Sequence, residues 1–322
     1  MHIPDGFLDT KTLITTVGLS AGGVGIAWRE AKARISPGRI PLLGMSAAFI
    51  FAAQMVNFPV AFGTSGHLIG SVLAAVLLGP GPAVIVMSTV LLVQCLIFAD
   101  GGLFALGANV FNMAIVGTLT GYWIFRFLIR MFHRSRGRIV AIVIASWCSV
   151  VLASLCCAGE LAWSGAAPAA AVIPAMAGVH ALIGIGEGLI TAAVYVAIEQ
   201  ARPDLLEQNF VQGGSVSVLP FALLGCIVAL GLVLFVSPFA SHWPDGFNSV
   251  AKRLGFDQGE VNNPLSVPLT GSWSAWLTGP PVATIIGGII GLMLVFVLTI
   301  GLVRVLTSKS SRNAPSPKDH SP

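Results

Sequence analysis

A chain in which apolar stretches long enough to enter a bilayer recur nine times has few folds open to it. These stretches lie near 10–28, 40–57, 67–79, 82–99, 107–129, 138–158, 172–199, 217–238 and 279–304, and a spanning helix needs about 20 mostly apolar residues. Charged residues supply 9% of the chain, against roughly 25% in a soluble globular domain. Inside lipid the backbone must satisfy its own hydrogen bonds, which leaves helices or closed barrels. Stretches of this length favour helices. The expected fold is therefore all-α, a polytopic transmembrane helical bundle of about seven spans with two more at the carboxyl end, multi-pass in the cytoplasmic (inner) membrane. The third stretch is short and bounded by Gly and Pro, so a tilted or partial span is expected there.

Basic residues orient the bundle. Loops on one side carry Arg29, Lys32, Arg34, Arg39, Arg126, Arg130, Arg134, Arg136, Arg138, Arg202, Arg304, Lys309, Arg312 and Lys318, whereas the other side holds only Lys11, Lys252 and Arg253. The positive-inside rule then puts the amino terminus outside, and nine spans return the carboxyl terminus to the inside. The formal net charge of +4 is scattered between spans, with no basic patch or tail for nucleic acid. His133 falls in one of the basic loops as a solvated charge. Five cysteines in or beside apolar stretches, none in a CxxC pair, give no disulfide framework.

Composition shifts divide the chain into a membrane domain over 1–200, a polar, Pro-containing cytoplasmic linker over 201–216, a two-span domain over 217–306 with an outer loop near 239–278, and a disordered cytoplasmic tail over 307–322. Residues 1–9 contain two Asp and neither Lys nor Arg. A cleavable signal peptide is not expected without a basic leader, and Met1, followed by a bulky His, is expected to remain the terminus.

That expectation gives Met1-His2-Ile3-Pro4-Asp5-Gly6-Phe7 a chemistry. A free α-amine followed by His offers the amine, the His2 amide and an imidazole nitrogen, which can close fused chelate rings around one cation. A planar, nitrogen-rich site suits Ni(II) or Cu(II), while Mg or Ca would want oxygens. Pro4-Asp5-Gly6 reads as a turn into the first span. The fourth nitrogen is expected from His67 in Gly63-Thr64-Ser65-Gly66-His67-Leu68, on the same outer face. There Gly63 and Gly66 would allow close backbone approach, and Thr64 or Ser65 would supply supporting hydrogen bonds. Taken alone, His67 could simply open a helix at the interface. Asn57, near the outer end of the second span, is a further candidate for supporting the site.

The opening Met-His-Ile-Pro-Asp-Gly-Phe-Leu-Asp, the run Gly63 to Leu68 and the segment Asp100-Gly101-Gly102-Leu103-Phe104-Ala105-Leu106-Gly107-Ala108-Asn109-Val110-Phe111-Asn112-Met113 resemble the CbiM/NikM family, the substrate-binding membrane components of energy-coupling-factor cobalt and nickel transporters. The similarity covers about residues 1–200. It implies a metal held by the Met1 amine, the His2 amide and imidazole, and His67. The transported ion would be Ni(II) or Co(II), with no resident cofactor, and the partners a CbiQ/NikQ-like coupling protein and CbiO/NikO-like ATPases. Trp243-Pro244-Asp245-Gly246-Phe247 resembles the Pro-Asp-Gly-Leu-Glu segment of the small CbiN/NikN component, with Phe247-Asn248 in place of Leu-Glu. A fused polypeptide is implied.

His2 to Phe7 is echoed by His242 to Phe247, five of six residues being shared. His242 has no free amine before it and so cannot form the same chelate. It could pass metal to the amino terminus, or the echo could be a shared Pro-Asp-Gly turn. Glu187 lies well inside the seventh stretch with His180 two helical turns earlier on the same face. An ionisable group at such depth is a functional candidate, here a proton relay or release gate, or else a hydrogen-bonded structural carboxyl. Gln54, Gln94, Asn109 and Asn112 should bond between helices. Small residues at Gly18, Gly22 and Gly25, and at Ala48 and Ala52, allow close helix contact, and the resemblance adds docking on the coupling subunit.

No GxxxxGK[ST] occurs, so ATP would be hydrolysed on separate subunits. No HExxH occurs either, and no enzyme is expected. The functional expectation is the substrate-capture component of an ATP-driven nickel or cobalt importer, nickel slightly favoured. The alternative is an ion-coupled carrier or channel built on His180 and Glu187 without an ATPase.

Overall fold

The computed structural model describes residues 1–132, 135–206, 217–259, 261 and 280–311. Its architecture is an α-helical membrane bundle. The helices are α1 (Thr10–Arg34), α2 (Ile40–Gln54), α3 (Ser71–Leu78) and α4 (Pro80–Phe98). They continue with α5 (Leu106–Met131), α6 (Ser135–Trp163) and α7 (Ala169–Ala201). The carboxyl-terminal part adds α8 (Leu219–Phe239), the short α9 (Gly246–Leu254) and α10 (Pro280–Ser311). A two-stranded antiparallel hairpin, β1 (Phe58–Pro59) with β2 (Ser65–Gly66), interrupts the helices.

All nine apolar stretches carry helix, but only six described helices are long and apolar enough to cross a membrane alone. The pair α1–α2, bent by 112° at Ser36-Pro37-Gly38, makes a seventh if taken as one broken span. At 1.5 Å per residue α2 covers about 22 Å and α3 about 12 Å, short of the roughly 30 Å hydrocarbon core. The third stretch is thus the partial span its Gly-Pro borders suggested.

The short helix survives at that depth because protein surrounds it. Every residue of α3 is buried, and α4 beside it is also central, with 72% of its apolar window covered, against 17% for α8. The irregular residues 67–70 leading into α3 have N–H groups that no helix satisfies, and irregular backbone is tolerated within a membrane only where protein supplies partners. Here Glu187 of α7 accepts from Ile69 N–H (2.6 Å) and Gly70 N–H (2.9 Å). Gln54 of α2 donates to the Ile69 carbonyl (2.7 Å) and accepts from Gln94 of α4 (2.6 Å). Both glutamines bond between elements as the sequence suggested.

Residues 207–216 of the expected linker, most of the expected outer loop (260 and 262–279), His133, Arg134 and residues 312–322 of the expected tail lie outside the described residues. Helix α10 continues to Ser311 and so includes the first five residues of the tail expected from 307. The five cysteines are free thiols.

Candidate metal site

The amino-terminal segment is drawn into the bundle by backbone contacts. Asn109, early in α5, clamps Ile3 on both sides, its Oδ1 accepting from Ile3 N–H (2.8 Å) and its Nδ2 donating to the Ile3 carbonyl (3.0 Å). Gly102 N–H donates to that same carbonyl at 2.8 Å. Asp5 turns its carboxylate onto the N–H groups of Leu103, Phe104 and Ala105 at 2.8, 2.9 and 3.1 Å. The chain then enters α1 through Asp9, whose carboxylate caps Thr12 N–H at 3.0 Å. Glycine is required in the facing loop. Gly101 has φ +90°, and a Cβ on Gly102 would overlap Asp5.

Held this way, Met1, His2 and Ile3 are buried, each under 7% exposed. The His2 and His67 rings stand 5.3 Å apart between centroids, inclined by 37°. Burial, and then the adjoining ammonium, push His2 down to about 3, the Asp245 charge opposing them. His67 is lowered to about 4, again chiefly by burial and then by the ammonium and His2. Both rings are therefore neutral at physiological pH, the form a metal ligand needs. His67 Nδ1 lies 3.1 Å from the Leu68 carbonyl, an acceptor only, so Nδ1 carries the proton and Nε2 keeps its lone pair. His2 Nε2 is buried without a hydrogen-bond partner, 3.8 Å from Asp100 Oδ2.

The terminal amine meets the carboxyl-terminal part of the chain. Met1 N donates to Asp245 Oδ2 at 2.6 Å, while Asp245 Oδ1 caps α9 by accepting from Asn248 N–H at 2.8 Å. Burial works against the Asp245 charge, but the ammonium, its hydrogen bond and Asn248 outweigh it and hold the carboxyl well below the usual carboxylate range. Around this ion pair the neighbouring loop segments interlock. Ser65 N–H donates to the Pro244 carbonyl (2.9 Å) and its hydroxyl to the Trp243 carbonyl (2.7 Å), and Thr64 and Ser249 share a hydroxyl bond (2.7 Å). Phe7 and Phe247 pack edge to face at 5.1 Å. The two echoed Pro-Asp-Gly-Phe motifs thus pack on each other.

Several expected partners take other places. Gly63 faces open space at a hairpin turn with φ +72°, and Gly66 packs on Ile183. The glycines that admit the amino-terminal segment are Gly101 and Gly102. Thr64 and Ser65 bond to the carboxyl-terminal loop rather than to an imidazole. Asn57 engages that loop through its backbone, accepting from Ser241 N–H at 2.8 Å. His242 is exposed and makes none of the contacts just described. His180 lines a small cavity with Met1, His67, Ile69, Val150, Ile183 and Gly246. Glu187 is one step away, through the 67–70 segment. Asp245 was missed, although the echo pointed at its turn.

Among the described residues no three His, Cys, Asp or Glu side chains are grouped to hold an ion. What converges is two imidazoles and the main-chain nitrogens of a terminus. The family model described as CbiM, cobalt uptake substrate-specific transmembrane region, matches residues 2–205. The chain belongs to this family. A relative from Archaeoglobus fulgidus, described as a putative fused nickel transport protein NikMN, is 36% identical over 94% of this chain and 98% of its own. The fused nickel transport protein NikMN of Rhodobacter capsulatus is 30% identical over 96% of this chain and its full length. A crystal structure of a truncated transition metal transporter aligns at TM-score 0.56 and 31% identity, over 62% of this chain and 99% of that one. The CbiM family consists of metal-transporter membrane components, not enzymes, and this chain is a multi-pass membrane member with a NikN-like part fused behind it.

Proposed function

We propose that this chain is the substrate-capture component of an ATP-driven importer for nickel or cobalt, taking the ion on the outer face. The observation that carries this reading is the docked amino terminus, where two buried, neutral imidazoles stand beside a terminal amine. The Met1 amine, His2 amide and one His2 ring nitrogen close two fused chelate rings, and His67 Nε2 supplies the fourth in-plane donor. Four nitrogens in a plane favour Ni(II) modestly over Co(II). The NikMN names of the full-length relatives lean the same way.

ATP is used by a CbiQ/NikQ-like coupling protein with CbiO/NikO-like ATPases, the chain having no Walker A motif. The scarcity of basic residues on the amino-terminal side supports an outward site. The carrier alternative needs Glu187 free to move protons or ions. Both of its oxygens instead accept backbone N–H groups, which favours a structural carboxyl.

Metal content and affinity of the purified full chain test this reading. His2→Ala and a variant with one residue added before Met1 should each lose at least about 2 kcal/mol of nickel affinity, roughly thirtyfold. Unchanged binding in the extended variant sinks the amino-terminal chelate.

A further inference from the structure

The cavity beside the terminal amine has a third nitrogen-bearing wall. His180 of α7 is 2% exposed and lines it with Met1 and His67. Its Nδ1 lies 2.8 Å from the Met176 carbonyl one turn back. A carbonyl only accepts, so Nδ1 holds the proton and Nε2 is left as a bare lone pair. That Nε2 is buried without a hydrogen-bond partner. Neutral imidazoles in cores normally satisfy both nitrogens, and a buried acceptor left unpaired costs about 1–3 kcal/mol. The residue covering it is Gly246, where an added Cβ would fall 2.9 Å from Nε2. The Asp245-Gly246 turn thus holds the amine with one residue and leaves the ring nitrogen unstoppered with the next.

We propose that His180 is a transient nitrogen ligand, one that takes the ion in passing as it enters and leaves the amino-terminal site. The proposal rests on the capture reading above. A planar chelate has no vacant position in its plane, and here the surrounding cavity wall is largely apolar, with Ile69, Val150 and Ile183. An ion cannot dissociate into such surroundings without a large desolvation penalty. An incoming donor above the plane bonds before a planar donor leaves, so the ion is never bare. Nε2 of His180 keeps such a lone pair, and His180 lines the same cavity as Met1 and His67. The chemical class is a divalent ion of the nickel–cobalt type bound by imidazole.

An exchange ligand changes rates without changing the equilibrium, and this separates it from a structural histidine. In purified full chain, His180→Phe should slow both nickel loading and nickel release to a chelator about tenfold, with affinity close to wild type. A thiolate in its place binds more strongly than imidazole and should keep the contact, so His180→Cys loaded with Co(II) should show a thiolate-to-cobalt charge-transfer band that the wild type lacks. Wild-type rates of loading and release in His180→Phe overturn the proposal, as does lower affinity that comes from faster release, or a His180→Cys protein that binds Co(II) as tightly as wild type without that band. If instead the variant extended before Met1 binds like wild type, the capture reading fails, and the charge-transfer band of His180→Cys still decides whether an ion reaches position 180.

Discussion

Glu187→Gln separates two accounts of this protein. The carboxylate receives Ile69 N–H at 2.6 Å on one oxygen and Gly70 N–H at 2.9 Å on the other. Gln offers one carbonyl oxygen and one NH2, so one backbone N–H would face another donor. Leaving a buried N–H unsatisfied costs about 1–3 kcal/mol, with about 1 more for the lost bond, and no water is at hand to rescue it within the bundle. The total, about 2–4 kcal/mol, falls on the irregular segment that begins at His67. The structural account therefore predicts faster exchange at the Ile69 and Gly70 amides and weaker nickel binding in the same variant, by about tenfold or more. Hydrogen exchange read by mass spectrometry and metal titration of the purified protein measure both. Uptake lost while amide protection and nickel affinity stay at wild-type values would refute this reasoning and return Glu187 to the ion-coupled carrier.

Asp245→Asn keeps a good helix cap but removes the anion facing the Met1 ammonium. Breaking a buried pair at its low end costs about 3 kcal/mol, so hydrogen exchange at residues 3–8 of the metal-free protein should accelerate roughly a hundredfold while α9 stays protected. Acid should loosen the same segment. His2 and His67 have folded values of about 3 and about 4 against an ordinary 6.5, so the docked form binds fewer protons than an opened one. Docking is undiminished above about pH 6.5 and weakens as pH falls from there toward 4, by up to about 2.7 kcal/mol per pH unit when opening exposes both rings. Protection of the Ile3 amide against pH gives that slope, and a pH-independent value would count against two buried neutral imidazoles.

Much of this was legible in the sequence, for reasons that differ residue by residue. The spans were legible because lipid imposes length and apolarity on any helix that crosses it, and the partial span because Gly and Pro bound it. His2 and His67 were singled out because a terminal chelate needs only a terminus and one more nitrogen, and the structure sets their rings 5.3 Å apart. Asp245 was not, because a Pro-Asp-Gly turn explains itself locally, and its bond to Met1 spans 244 positions in the chain. Asn109 was read as a bond between helices, which is the average fate of such a residue; its actual partner is a backbone segment outside any helix. Gly63 and Gly66 were credited with the close approach that Gly101 and Gly102 make, since spacing reveals that a loop is permissive but not what it faces.

The Asp245 contact acquires a reason once charges are counted on the proposed chelate. Before capture the buried terminus holds one ammonium, and Asp245 balances it at 2.6 Å. Capture removes the ammonium proton and the His2 amide proton and brings in a dication. Two positive charges leave as protons and two arrive as metal, so the net charge beside Asp245 does not change. Moving net charge into so dry a place would cost several kcal/mol, and this exchange avoids it in either direction. Asp245 must therefore be present, and close, in both states. A carboxylate on a separate subunit would reach the amine only at the subunit's working concentration. On a loop anchored by α8 and α10 of the same chain it sits at an effective concentration in the millimolar range or above. On the capture reading proposed above, the loop of the fused NikN-like part supplies the counter-charge that lets a dication replace two protons without a change in buried charge.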